Sequence, residues 1–201
     1  MSKPVASYAK EVLKRGNRGA LLRAAMLGGW DSLKVQQPDR AWWRRKSTRA
    51  AVVWEYSVNN AIDALKDDKG VRVVSHYDTI SLVIEDGLLV RLKKADIELR
   101  SRNVQTILAS LFHHHDADLF GYQGLQRVEA AYVLNRFETE MDWVGIVARD
   151  GEHHLWHFEL NELLDSDVVK LPLVGGGKPA AERLANLKTD DAEQQREQEN
   201  D

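Results

Sequence analysis

The stretch TISLVIEDGLLVRLKK, residues 79–94, decides the fold of this chain. Two apolar, β-branched runs flank Asp86-Gly87, a dipeptide that is typical of a two-residue hairpin turn. Both faces of the predicted hairpin are largely apolar, which indicates a central hairpin that is covered on both sides. The second strand nevertheless carries three cations: Arg91, Lys93 and Lys94.

The turn sets the expected register of this hairpin. With Asp86 and Gly87 as the turn, residue 80 is expected opposite residue 93. Alternation along the strands then assigns these residues to one face: Asp78, Ile80, Leu82, Ile84, Leu89, Arg91 and Lys93. This face is predicted to be apolar near the turn and charged at its other end.

Helices are predicted before the hairpin. Residues 5–28 place apolar side chains at helical spacing, and Gly28-Gly29 is expected to stop this helix. A second helix is expected over about 47–67. In its apolar stripe Glu55 falls at the edge, so its carboxylate is expected to be half-buried and able to cover the charged end of the hairpin.

The remaining elements complete an α+β pattern. Residues 71–77 read as a strand before the hairpin, and 101–115 contain a helix of about ten residues. Three later strands, at 127–135, 142–150 and 153–160, form a meander with Asp150-Gly151 as a tight turn. The sequence therefore predicts an α+β fold with a central, mostly antiparallel sheet and flanking helices.

Charge divides the chain unevenly. Residues 1–50 carry 12 Lys/Arg against 3 Asp/Glu, and the remainder carries 16 against 28. We expect a basic helical arm at 1–46, an α/β core at 47–164 and a flexible tail at 165–201 with a disordered acidic end. The basic arm either faces an anionic partner or folds onto the acidic body of the protein itself.

Composition also bounds the location. The chain contains no cysteine, which excludes disulfides and thiolate metal sites and fits a reducing compartment. No apolar run has the length of a signal peptide or a membrane span. We expect a cytoplasmic protein with no membrane contact, and its oligomeric state stays open.

The element order around the hairpin resembles the core of the PD-(D/E)XK nucleases over roughly residues 47–135. In that superfamily an aspartate on the second strand and an acidic residue two positions before a lysine on the third hold a divalent metal. The resemblance implies Asp78 and Lys93 as counterparts, with Glu55 as a helix-borne carboxylate. Arg91 stands where the family has its second metal ligand, and a cation there repels Mg²⁺. The resemblance thus implies a degenerate, non-cleaving version, or as the alternative a Mg²⁺-dependent nuclease.

A second resemblance concerns short sequence motifs over about residues 75–160. An RFKK-like strand, an N-x-x-T helix start and a W-x-x-x-L strand are similar to a family of uncharacterised bacterial and phage proteins. The matching residues are Arg91, Lys93, Lys94, Asn103, Thr106 and Trp156. Members often accompany repressor-like or toxin–antitoxin genes of mobile elements. The resemblance implies such a genetic context and supplies no mechanism. In that context we expect a non-catalytic, antitoxin- or immunity-like binding protein with a cognate toxin, a defence subunit or nucleic acid as partner.

Aromatic residues interleaved with cations mark a second candidate surface. In DRAWWRRK, residues 39–46, tryptophans can stack on bases while cations hold phosphates, or both can anchor a protein interface. The predicted binding residues are Arg40, Trp42, Trp43, Arg44, Arg45, Lys46, Arg91, Lys93 and Lys94. The alternatives are a salt-bridged strand end against Asp78 and Glu55, and a tryptophan that seals the first two helices together.

The histidines do not predict a metal site. Three consecutive histidines at 113–115 cannot all reach one ion from regular structure. His153 and His157 would lie about 13 Å apart on a regular strand, too far to chelate. No metal and no cofactor are predicted, apart from Mg²⁺ under the nuclease alternative.

Overall fold

A computed structural model of the chain describes residues 3–76, 79–101, 111–115 and 124–164. Three helices come first. They are α1 (Ala6–Lys14), α2 (Arg18–Gln36) and α3 (Lys46–Leu65). The helix predicted over 5–28 is therefore two helices, since Gly16 and Asn17 adopt left-handed backbone between them.

Gly28 and Gly29 do not end a helix, contrary to the prediction. Helix α2 continues through both glycines to Gln36. The reason is packing: a Cβ atom at Gly29 would collide with the side chain and backbone of Ser57 on α3. The two helices approach closely at this point, and glycine is the residue that permits the approach.

The strands form a six-stranded sheet whose spatial order follows the chain order. They are β1 (Val71–His76), β2 (Thr79–Ile84), β3 (Leu88–Lys94), β4 (Gln126–Leu134), β5 (Met141–Asp150) and β6 (His153–Glu159). Strands β3 and β4 run parallel, and the other neighbours run antiparallel. The predicted α+β class with a mostly antiparallel sheet is confirmed.

The predicted register of the central hairpin is wrong by one residue. Ile84 lies opposite Leu88, so the turn has three residues. Glu85 and Asp86 both adopt left-handed backbone, with φ of 49° and 47°. The amide of Glu85 donates to the carbonyl of Gly70 at 2.7 Å, and this contact with the chain before β1 fixes the wider turn.

A one-residue shift reverses the face of every side chain on β3 relative to β2. Leu82 and Ile84 lie in the core beneath the helices, together with Val90. Arg91 instead lies on the opposite face, where its Nε donates to Ser81 Oγ at 3.1 Å. The single face predicted to hold Ile80, Leu82, Ile84, Arg91 and Lys93 is thus divided between the two sides of the sheet.

The N-terminal helices belong to the main core. Leu13, Leu22 and Met26 are fully buried in the same cluster as Val128 and Ile146 of the sheet. Several cations of this region also bind carboxylates of the later chain: Lys3 binds Asp150, Lys10 binds Glu162, and Arg18 binds Asp68 and Glu85. For these residues the basic segment folds onto the protein's own acidic body.

Two predicted segments lie wholly or partly outside the residues that the structure describes. The tail at 165–201 lies beyond the described residues. Of the helix predicted within 101–115, the structure describes residue 101 and residues 111–115, and residues 111–113 are helical. Phe112 from this segment packs on the second face of the sheet against Val83 and Leu89.

Candidate functional site

A cleft of about 790 Å³ opens at one end of the sheet. It is bounded by the start of α3, the start of β2, the ends of β3 and β4, and the loop after β4. The lining residues are Lys46, Ser47, Ala50, Ala51, Trp54, Thr79, Ile80, Arg91, Leu92, Lys93, Lys94, Ala95, Asp96, Ile97, Val133, Leu134, Asn135, Arg136 and Glu138. Residues from both faces of β3 take part.

Backbone geometry makes this end of the sheet favourable for an anion. Strands β3 and β4 are parallel, so their carboxyl ends meet at the cleft. Helix α3 begins there, and Arg45 at its N-cap makes no side-chain capping hydrogen bond. The first amides of α3 and the positive end of its dipole therefore lie beside the cleft, a combination that favours negative charge.

The side chains add a surplus of positive charge. Five cations line the cleft: Lys46, Arg91, Lys93, Lys94 and Arg136. The described lining contains two carboxylates, those of Asp96 and Glu138. Asp96 Oδ1 accepts the amides of Glu98 and Arg100 at 2.9 and 3.0 Å, so this carboxylate holds its own turn together.

Glu138 is the centre of an ion-pair cluster. Its carboxylate lies 2.9 Å from Arg49 Nη2, 3.2 Å from Lys46 Nζ and 3.4 Å from Lys94 Nζ. Burial raises the pKa of Glu138, but the hydrogen bonds and charges of Lys46 and Lys94 outweigh burial and leave that pKa below its usual value. Glu138 is therefore an anion held by cations of α3 and β3.

Arg91 is an unusual buried cation. Its side chain is enclosed, with 6 % of the residue exposed. The guanidinium carbon lies 4.2 Å from the centre of the Phe112 ring, on which the group stacks. Desolvation lowers the pKa of Arg91 to about 10, against the opposing charge of Glu129. Arg91 thus stays charged at neutral pH in an environment that disfavours the charge.

Glu129 is the acidic counterpart on that face of the sheet. It lies directly beside Arg91 in the β3–β4 register. Its Oε1 accepts from Ser101 Oγ at 2.8 Å and lies 3.4 Å from His113 Nε2. Burial raises the pKa of Glu129, but these hydrogen bonds outweigh it and leave the pKa lowered. Burial also lowers the pKa of Lys93, which Glu129 offsets in part.

The structure brings together four of the predicted binding residues. Lys46, Arg91, Lys93 and Lys94 all line the cleft. Arg40 serves a different purpose, because its Nη1 donates to the carbonyls of Lys34 and Gln37 at the end of α2.

The other predicted residues lie in the segment before α3. Trp42 is 84 % exposed, whereas Trp43 is partly buried against the core. Arg44 and Arg45 are exposed.

The predicted convergence of Glu55 and Lys93 is not observed. Glu55 is exposed on α3 rather than half-buried, and it is not part of the cleft lining. Lys93 lies on the sheet face away from α3 because of the one-residue register shift. Asp78, the third residue of this set, lies outside the described residues. Among the residues the structure describes, no group of three potential metal ligands comes together.

Sequence reasoning missed the residues of the β4–β5 loop. Arg136 and Glu138 read only as part of a break between strands, and Asn135 as the end of the strand predicted at 127–135, yet these three residues form one wall of the cleft. Phe137 beside them is 80 % exposed. The available signal in the sequence was a cation, an aromatic residue and an acid in succession. The direction in which the loop presents these side chains depends on the left-handed backbone of Glu138, φ 53°.

His115, His154 and His157 have structural partners in the described residues. His115 is buried, and its Nε2 lies 2.7 Å from the carbonyl oxygen of Arg149. On β6, His154 Nε2 and His157 Nδ1 lie 2.9 Å apart, a contact that a regular strand does not allow. An irregularity in the pairing of β5 with β6 after Ala148 brings these two residues together.

Comparison with models of protein families, with curated proteins and with solved structures returned no match for this chain. Within the described part of the chain, none of the helices combines the length and the apolar character that a membrane span requires.

Proposed function

We propose that the protein binds single-stranded nucleic acid through the cleft and does not cleave it. The observation that carries this proposal is the charge imbalance of the lining, five cations against two carboxylates. Both carboxylates already have partners: three cations surround Glu138, and backbone amides bind Asp96. A polyanion in the cleft would balance the remaining positive charge.

The proposal rests in part on Arg91 and Lys93. Within the described residues, neither side chain forms an ion pair with a carboxylate; Arg91 is buried and Lys93 is partly buried. Removing a cation from water without a direct counter-ion is costly, so proteins keep such groups where a ligand or a partner compensates. A phosphate group supplies that compensation with two or three acceptor oxygens.

Exposed aromatic residues favour a single strand over a duplex. Phe137 is 80 % exposed on the β4–β5 loop, next to the lining residues Arg136 and Glu138. Trp42 is 84 % exposed, four residues before Lys46. Unpaired bases stack on such side chains, whereas the bases of a duplex are not available to them.

Binding without cleavage is part of the proposal. It is supported by the separation of Glu55 from the cleft and by Arg91 on the strand position that the nuclease resemblance assigns to a metal ligand. The setting in a mobile element, a toxin–antitoxin pair or a phage-defence system stays a prediction from the sequence resemblance. The cytoplasmic location and a cognate protein partner stay predictions as well.

The first test compares two lysines at opposite ends of α3. Lys46 borders the cleft, and Lys66 follows the last residue of α3, about 30 Å away at 1.5 Å per residue. We expect Lys46→Gln to weaken binding of a short labelled single-stranded DNA or RNA about threefold to tenfold. The slope of log affinity against log salt concentration should become shallower by about one unit. Lys66→Gln removes the same charge and should leave binding unchanged.

Fluorescence anisotropy at several salt concentrations measures both quantities. Equal effects of the two substitutions would show that the cleft is not the binding site. Tighter binding of the duplex form than of the single strand would contradict the stacking argument. Cleavage of the oligonucleotide with Mg²⁺ or Mn²⁺ that disappears in Asp78→Ala would favour the nuclease alternative.

A further inference from the structure

The carboxylate of Glu138 occupies a position with the features of a phosphate subsite. It is 16 % exposed, and three cationic side chains surround it at 2.9 to 3.4 Å. Lys46 and Arg49 come from the first turn of α3, and Lys94 comes from the end of β3. The surrounding cations thus come from two separate elements and converge on one anion.

This cluster is not fully satisfied by Glu138. The Nε atom of Arg49 is buried and has no hydrogen-bond acceptor in the described structure. A carboxylate offers two oxygens to three cations, whereas a phosphate offers more acceptor oxygens in a tetrahedral arrangement. A phosphate at this position has the capacity to accept a hydrogen bond from the Arg49 Nε that Glu138 leaves unmade.

The loop that presents Glu138 has an unusual backbone. Glu138 has φ 53°, in the left-handed region that residues other than glycine and asparagine rarely adopt. The loop is held by Asn135, whose Oδ1 accepts the amide of Thr139 at 2.8 Å and whose Nδ2 donates to Thr139 Oγ1 at 2.7 Å. Strained residues of this kind concentrate at ligand sites and switch regions.

We propose that Lys46, Arg49 and Lys94 form the phosphate subsite of the cleft and that Glu138 fills it in the ligand-free protein. A nucleic-acid phosphate replaces the Glu138 carboxylate and releases the β4–β5 loop from α3. This inference rests on the proposed function and deepens it, because it assigns the residues that hold the phosphate and a built-in competitor for them. An ion pair that only fastens the loop to α3 is the alternative.

The deciding substitution is Glu138→Gln. It removes the competing charge and leaves the cations in place, so we expect binding of the single-stranded oligonucleotide to tighten about threefold to tenfold. Glu140→Gln is the matched control, because Glu140 is exposed, lies two residues away and makes no side-chain ion pair in the described structure. Equal tightening in both variants, or no tightening in Glu138→Gln, would overturn the inference.

A second measurement covers the case in which Glu138→Gln is less stable. Inorganic pyrophosphate should raise the melting temperature of Glu138→Gln more than that of the wild type or of Glu140→Gln, since its subsite is vacant. In the wild type, saturating oligonucleotide should accelerate amide hydrogen exchange at residues 135–140. Equal thermal shifts in the three proteins, or slower exchange in that loop, would contradict the displacement of Glu138.

The two proposals fail in different ways. If the wild type binds the oligonucleotide and loses affinity in Lys46→Gln, but Glu138→Gln binds no better, the proposed function stands and the assignment of Glu138 falls. If neither the wild type nor Glu138→Gln binds any oligonucleotide, both fall.

Discussion

Arg18 illustrates how a charged side chain is accommodated inside this protein. It is 6 % exposed, and its Nε lies 2.6 Å from Asp68 Oδ2 while its Nη1 lies 2.6 Å from Glu85 Oε1. The same Nη1 donates to the carbonyl of Val12 at 3.1 Å. The guanidinium therefore links α2, the turn after α3 and the β2–β3 turn, three segments that are far apart in sequence.

The first stability prediction concerns Arg18→Met. It keeps much of the side-chain volume and leaves Asp68 and Glu85 without their shared partner, so we expect a loss of about 2–4 kcal/mol at neutral pH. Hydrogen bonding from Arg18 lowers the pKa of Asp68 below its usual value in the folded protein. A lowered pKa stabilises the fold above the unfolded value, and this contribution disappears as pH falls through the folded value.

Urea unfolding at neutral pH and at about pH 3 measures both effects. The difference in unfolding free energy between wild type and Arg18→Met should be smaller at the acidic pH, because the contribution of the Arg18–Asp68 pair decreases once the pH falls below the unfolded pKa of Asp68 towards its lowered folded pKa. A difference that is independent of pH would contradict the assigned partner.

At the scale of elements, the contact between α2 and α3 depends on one of two adjacent glycines. Gly29 is buried directly against the backbone of Ser57. Gly28 faces only the end of the flexible Asn60 side chain, whose Nδ2 would lie 3.1 Å from a Cβ added at Gly28. The two positions have the same helical backbone and differ in their surroundings. They therefore separate the effect of packing from the effect of helix propensity.

We expect Gly29→Ala to destabilise the protein by about 1–3 kcal/mol, because the helices must separate. Gly28→Ala should be neutral or stabilising by up to about 1 kcal/mol, since alanine favours a helix interior. Thermal or urea unfolding of the two variants provides the comparison. Similar effects at both positions would show that the close approach at Gly29 is not a constraint.

The two hairpin turns show what sequence could and could not predict. The β5–β6 hairpin has a two-residue turn, but the turn residues are Gly151 and Glu152 rather than the predicted Asp150-Gly151, since Asp150 lies opposite His153. Asp86-Gly87 gives a three-residue turn because Glu85 also joins it, held by its contacts with Gly70, Arg15 and Arg18. Local turn chemistry predicted that both hairpins exist, but it placed neither turn correctly. The register of the β2–β3 hairpin was set by contacts from distant segments.

The candidate site was predictable in part for the same reason. Lys46, Arg91, Lys93 and Lys94 stood out as cations near apolar or aromatic residues, and they line one cleft. Glu138 did not stand out, since its role depends on the direction of a loop and on three cations up to 92 residues away in sequence. Patterns within a segment identify charges, whereas pairing between segments requires the fold.

At the scale of the whole molecule, the sheet consists of two three-stranded meanders, β1–β2–β3 and β4–β5–β6, joined by the parallel β3–β4 pair. The helices pack on this sheet with α2 against β5 and α3 against β3, and Leu13 of α1 and Met26 of α2 are fully buried in the core shared by both meanders. The helices are therefore expected to be required for folding.

We expect a chain that begins at residue 47 not to fold cooperatively, because it would expose the apolar face of the sheet to water. Loss of a cooperative thermal transition and increased binding of a hydrophobic dye should accompany this truncation. A sharp transition in the truncated chain would support an independent core at 47–164 and a separable arm.

The parallel pair has a consequence for the order of assembly. The strands of each meander can pair through contacts between neighbours in sequence. Strands β3 and β4 can pair only after the long stretch of chain between them has closed into a loop. The cationic cleft lies across the β3–β4 pair, so neither meander alone contains the cleft. The protein should therefore gain the capacity to capture a polyanion in the last kinetic phase of refolding. A labelled oligonucleotide then reports when the β3–β4 pair forms.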